Sequence, residues 1–146
     1  MKQEDLLPAV IEIAEQAAGK ILEIYEDDIA VENKLDDSPL TAADMASHET
    51  IVKGLSQLTP EIPILSEESA DIPFETRRSW QKYWLVDPLD GTREFIKKNG
   101  EFTVNIALID NHQPVLGVVQ VPVSGVCYFS EKNKGAFKKE AGGPAH

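Results

Sequence analysis

The chain has 146 residues, of which 42% are hydrophobic and 27% charged, enough for one domain of ordinary size with a buried core. Its formal net charge of −11 excludes the basic face of a general nucleic-acid binder. No apolar run approaches the roughly 20 residues a membrane-spanning helix needs. The first residues, Met1 to Asp5, lack the basic flank and apolar stretch of a secretory signal, and the single cysteine, Cys127, forbids an internal disulfide. These features predict a cytoplasmic protein.

Leu7, Val10, Ile11, Ala14, Ala17, Ala18, Ile21, Leu22 and Tyr25 recur at steps of three and four, which predicts an amphipathic helix from Asp5 to Tyr25. Glu26, Asp27 and Asp28 read as a polar break, and Glu32 to Pro39 as a loop or hairpin tip. A second helix is expected from Thr41, with Ala42, Met45, Ala46, Ile51 and Leu55 inward and Thr41-x-x-Asp44 as a capping box. The period then changes. Strands are predicted at Ile62–Leu65, Tyr83–Val86, Phe102–Ile109, Val115–Val121 and Val126–Phe129, with an edge strand beginning at Lys134–Phe137 and a short helix over Thr92–Ile96. Asp110-Asn111-His112 and Ser124-Gly125 supply turns between antiparallel partners. The expected class is α+β, with helices packed on a mostly antiparallel sheet.

Trp84-Leu85-Val86-Asp87-Pro88-Leu89-Asp90-Gly91-Thr92 is the segment richest in chemistry. An apolar strand delivers two carboxylates three positions apart. Pro88 fixes φ and removes a donor, which is expected to end the strand. Gly91 permits a backbone turn and a close ligand approach, and Thr92 is a candidate helix cap beside amides suited to a phosphate. On its own the stretch reads more readily as turn and cap residues at a strand-to-helix junction. Glu67-Glu68, at the exit of the preceding apolar strand, changes that balance. Were the two strands neighbours, three carboxylates would converge, and a divalent cation would relieve their repulsion.

Ile64-Leu65-Ser66-Glu67-Glu68-Ser69 together with Trp84 to Thr92 resembles the paired signature of the inositol monophosphatase superfamily, a family of magnesium-dependent phosphatases. Thr92 to Ile96 and Asn99 to Ile109 resemble its bacterial 3'(2'),5'-bisphosphate nucleotidase branch. The resemblance implies the N-terminal metal-binding domain of the sugar-phosphatase fold over residues 1–137, with 138–146 a tail or truncation point. It implies two or more Mg2+ ions held by Glu67, Asp87, the Leu89 carbonyl and Asp90. It implies a substrate phosphate held by Glu67 and by Leu89, Asp90, Gly91 and Thr92. Catalysis would rest on Glu67 and on a water oriented by Asp44 and Thr92. The implied reaction removes the 3'-phosphate of adenosine 3',5'-bisphosphate, giving AMP and phosphate in sulfate assimilation, with 3'-phosphoadenylyl sulfate as a second substrate. The implied partner is this small nucleotide, not nucleic acid and not a membrane span; a homodimer and peripheral contact with the inner membrane are compatible with it.

Relatives are longer, and their second domain adds a metal-binding aspartate within a Trp-Asp pair that this sequence does not contain. The chain is therefore expected to lack the C-terminal domain and to have weak or no activity alone. Two alternatives stand beside the main reading: an inositol or sugar phosphate phosphatase, and a truncated, inactive metal-binding module. His48 reads as a surface or packing residue, Cys127 as core filling, Trp80 and Trp84 as packing anchors, Glu68 as support for Glu67, and Lys34 as a solvated loop residue.

Overall fold

The computed structural model describes residues 6–31, 38–66, 79–92, 95 and 100–140. Two helices, α1 (Leu6–Val31) and α2 (Ser38–Leu58), precede six strands: β1 (Ile64–Ser66), β2 (Lys82–Asp90), β3 (Thr103–Asp110), β4 (Gln113–Gln120), β5 (Cys127–Glu131) and β6 (Gly135–Lys139). The strands form one sheet in sequence order. The β1–β2 pair is parallel and every later pair antiparallel. The α+β expectation holds.

The sheet order follows from short turns. Asn111 and His112 both take positive φ, 52° and 65°, the mirror-image turn whose twist suits a two-residue hairpin, so β3 returns directly into β4. At Ser124-Gly125 the turn closes with Val121 N–H donating to the Val126 carbonyl at 2.8 Å. Alternation along the strands divides the sheet into two faces. Trp84, Leu108 and Leu116, and Val86, Ile106 and Val118, are register partners on the covered face, under both helices. There they meet Val10, Ala14, Ala17, Ile21, Ile51 and Leu55.

Several boundaries differ from the sequence expectation. The first helix continues through Glu26-Asp27-Asp28 to Val31, because acidic residues weaken a helix end but, unlike Gly or Pro, do not terminate one. The second begins at Ser38, so Ser38 and Pro39 belong to it; a proline in the first turn removes only an amide that has no helical partner. Thr41 consequently sits inside α2 and does not form the predicted capping box. The buried stripe of α2 is Ala43, Ser47, Ile51 and Leu55, whereas Met45 is 38% exposed and Ala42 faces solvent. Gly54 lets α2 approach α1 closely, since a Cβ there would stand 2.8 Å from Ile13 Cγ1.

Candidate metal and phosphate site

The predicted convergence begins with the pairing of β1 and β2. They are neighbours and parallel, with Ser66 in register with Val86. The residues preceding Glu67 and Asp87 are thus direct partners at the same end of the sheet. Glu67, Glu68 and Lys34 lie outside the described residues.

β2 does not stop at Pro88 as its sequence suggests. It runs to Asp90 through a bulge: Asp87 pairs with Asn105 and Asp90 with Thr103, so Pro88 and Leu89 together oppose Val104 alone. A bulge is one of the few places a strand tolerates proline, because the ladder is interrupted there and the missing N–H costs little. It re-aims the chain so that Asp87 is half-buried, Pro88 and Leu89 are buried, and Asp90 is exposed. Two acidic side chains and the Leu89 carbonyl are thereby gathered within four residues of one strand end.

Gly91 takes φ of 93°, a left-handed conformation that side-chain-bearing residues avoid, which accounts for glycine between Asp90 and Thr92. Phe95 N–H donates to the Gly91 carbonyl at 3.0 Å, and Thr92 and Phe95 have helical backbone. Gly91, not Thr92, therefore occupies the cap position of that turn. Thr92 is exposed at the first helical position. The turn is anchored from below by a ring cluster: Phe95 lies 5.3 Å from Tyr25 and 5.2 Å from Phe102, and Tyr25 4.9 Å from Phe102, centroid to centroid. Such tilted contacts are favourable for aromatic pairs and tie the segment after the two aspartates to α1 and β3.

Three polar residues at the site were not singled out as such by the sequence reading. Asn105, opposite Asp87, donates through Nδ2 to Asp90 Oδ2 at 3.2 Å and accepts from Thr103 Oγ1 at 3.1 Å. Its signal is an amide in the middle of the apolar run Val104-Asn105-Ile106, where a β-depleted residue needs a reason. Ser47 Oγ donates to the Pro88 carbonyl at 2.8 Å, and His48 Nδ1 shares a hydrogen bond of 3.0 Å with Ser66 Oγ. Asp44 lies one turn earlier on α2, three and four positions before these two, and is half-buried. His48 is thus neither a surface nor a simple packing residue. Trp84, by contrast, is the anchor expected: fully buried, with Nε1 donating to Thr59 Oγ1 at 2.9 Å.

Among the described residues no group of three or more His, Cys, Asp or Glu is close enough to enclose a metal ion. Asp87 and Asp90, with the carbonyls around them, supply the hard oxygen donors that suit magnesium, an ion usually held by one or two carboxylates together with water and phosphate. Beyond Asp87 and Asn105 the uncovered face of the sheet forms a concave groove of about 490 Å³, lined by Leu85, Ala107, Val119 and Tyr128 among others. No helix among the described residues is long and apolar enough to cross a membrane.

The profile of the inositol monophosphatase family matches residues 2–145. The 3'(2'),5'-bisphosphate nucleotidase CysQ of Salmonella typhimurium is 53% identical over 139 residues, covering 94% of this chain and 56% of its own length. CysQ of Escherichia coli K12 is 53% identical over 140 residues with the same coverage. Among solved structures, CysQ from Bacteroides thetaiotaomicron, described as a bacterial member of the inositol monophosphatase family, superposes with a TM-score of 0.82 at 50% identity, over 91% of this chain and 48% of that one. The extragenic suppressor protein SuhB from Bartonella henselae superposes at 0.75 with 28% identity, over 92% and 51%. The chain spans about half the length of the curated relatives it matches.

Proposed function

From the premise that this chain belongs to the inositol monophosphatase family, we propose that it is the metal-binding part of a phosphomonoesterase acting on adenosine 3',5'-bisphosphate. The observation that carries the reading is the β2 bulge, which presents Asp87, the Leu89 carbonyl and Asp90 beside the end of a parallel neighbour that leads into Glu67. The names of the relatives supply the substrate: those at 53% identity are 3'(2'),5'-bisphosphate nucleotidases.

In this reading Glu67, Asp87, the Leu89 carbonyl and Asp90 hold two or more magnesium ions. Magnesium bound there would neutralise the phosphate oxygens and make a coordinated water acidic enough to attack at neutral pH. The rest falls to the chain. Asn105 fixes the Asp90 carboxylate through its 3.2 Å hydrogen bond, so that carboxylate need not be ordered when a ligand arrives. Gly91, without a Cβ, leaves the backbone open to the phosphate. The Thr92 hydroxyl and the Asp44 carboxylate orient the attacking water, Asp44 taking up its proton. The scissile ester is a 3'-phosphate, and the products are AMP and inorganic phosphate, as sulfate assimilation requires. A cytoplasmic setting goes with this chemistry and with a single buried thiol.

Whole-protein turnover requires the length the relatives possess beyond this chain, so the 146 residues alone should release phosphate slowly or not at all. Phosphate release is measured with magnesium, on adenosine 3',5'-bisphosphate and on inositol monophosphate, with and without the C-terminal remainder of a CysQ relative. Faster release from the nucleotide supports the proposal. Preference for the inositol ester replaces it with the sugar-phosphatase reading, and no release even with the remainder leaves an inactive metal-binding module.

A further inference from the structure

We infer that the adjacent residues Ser47 and His48 are a brace that holds the ends of β1 and β2 in fixed relation, and that they are positioning residues for the carboxylates of the β2 bulge. The inference rests on the metal reading above. It starts from a contrast on one helix. A hydroxyl inside a helix commonly bonds back to the carbonyl four residues earlier, and Thr50 does so, donating to Ala46 O at 2.8 Å. Ser47, fully buried, instead donates across 41 positions to Pro88 O at 2.8 Å. That acceptor lies inside the bulge, where the β2–β3 ladder is interrupted, and a buried carbonyl left without a donor is costly. The Pro88 carbonyl belongs to the peptide joining it to Leu89, and it sits between Asp87 and Asp90. Fixing its direction fixes the bulge that carries both carboxylates.

His48 makes the second contact. It reaches Ser66, the last residue of β1 and the partner of Val86 one position before Asp87. Neighbouring residues of one helix therefore contact both strands, one at the last residue of β1 and the other inside the β2 bulge. Among the described residues the last register pair of β1 and β2 is Ser66–Val86, and the brace acts on that pair and on the bulge that follows it in β2. Groups that orient ligands from behind are commonly worth tenfold or more in metal affinity. A second tie between the α2 end and β2, Thr59 to Trp84 Nε1 at 2.9 Å, lies two residues before Val86 and faces the core. It offers a matched control.

The experiment is a magnesium chloride titration of the 146-residue chain followed by calorimetry, with thermal melting of each variant. His48→Leu and Ser47→Ala should each raise the magnesium midpoint about tenfold. His48→Asn, whose amide can stand near Nδ1, should recover most of that loss. Thr59→Ala should lower the melting temperature yet move the midpoint less than about twofold, since it touches the core and not the bulge. Midpoints for His48→Leu and Ser47→Ala within twofold of the parent, or a Thr59→Ala shift as large as theirs, overturn the brace and leave the metal site standing. If Ser47→Ala does not fold, the two His48 variants decide the matter on their own. A parent chain without any saturable magnesium binding overturns the metal reading itself and the brace with it.

Discussion

The two faces of the sheet are built from the same strands and share almost nothing else. On the covered face, Trp84, Val86, Val104, Ile106, Leu108, Leu116 and Val118 are each at most 1% exposed beneath the helices. On the open face the rows Asp87–Asn105–Val119–Tyr128 and Leu85–Ala107–Gly117–Ser130 alternate with them, and Leu85, Val119 and Tyr128 are 43%, 37% and 46% exposed. Stability resides on the first face. Asp87 and Asn105 belong to the second, at its edge, so the candidate chemistry can vary without disturbing the core. Substitutions on one face should therefore be costly in stability and those on the other nearly silent.

The largest effect is expected at Trp84. It is fully buried, and its indole N–H is satisfied by Thr59. Trp84→Ala should cost about 3–5 kcal/mol by urea denaturation, most of it the cavity and a smaller part the hydrogen bond that Thr59 Oγ1 accepts, since that hydroxyl still donates to the Leu55 carbonyl. A loss under about 1 kcal/mol would mean that the covered face is not the core. Next comes the helix layer itself. Gly54→Ala places a methyl group 2.8 Å from Ile13 Cγ1 and 2.9 Å from its Cδ1, so overpacking should cost about 1–3 kcal/mol despite alanine's better helix propensity. Ile13→Val in the same chain should recover part of this, and strict additivity of the two changes would show that they do not touch.

Much of this division is readable in the sequence, and the failures have physical causes. The alternation of Val104, Ile106 and Leu108 announces β3, and Asp110-Asn111-His112 announces its turn, because period and turn chemistry are local properties. The phase of α2 is misread because one of its fully buried positions is a serine. Ser47 looks like a surface residue until its acceptor, 41 positions away, is known. Pro88 suggests a strand end because its lost donor is local information, whereas the bulge that tolerates it depends on β3. His48 and Asn105 are likewise polar residues whose partners are set by pairing, not by neighbours in sequence. Asp87 and Asp90 are recognisable from motif alone. The bulge between them, which sets Asp87 opposite Asn105 and Asp90 opposite Thr103, is not.

Cys127 tests the covered face with a smaller perturbation. It is fully buried at the edge where β5 meets β6, and burial pushes its thiol from an ordinary 9.0 up to about 11, with the Glu15 carboxylate adding to the rise and Lys139 opposing it. A raised folded-state value means that the fold favours the protonated thiol. This contribution is intact below pH 9 and is lost as pH climbs toward 11. Urea midpoints should fall through that window in the parent and less in Cys127→Ala, compared as slopes against pH. At pH 8 a thiol reagent should label the folded chain far more slowly than the urea-unfolded one, and equal rates would place Cys127 at the surface.

The smallest effect should come from the open face, and it is the sharpest test of the comparison. Leu85→Ser removes an aliphatic side chain that is already 43% in water, and Tyr128→Ser one that is 46% exposed. Each should change stability by less than about 0.5 kcal/mol, the range of ordinary surface substitutions. Both should also lower the binding of an apolar dye, since Leu85 and Tyr128 line the 490 Å³ groove beside Asp87. The urea slope should not change, because the area exposed on unfolding is set by the other face. A loss above about 2 kcal/mol in either variant would require these side chains to be buried in solution. The two faces would then not differ in the way the register and exposures describe.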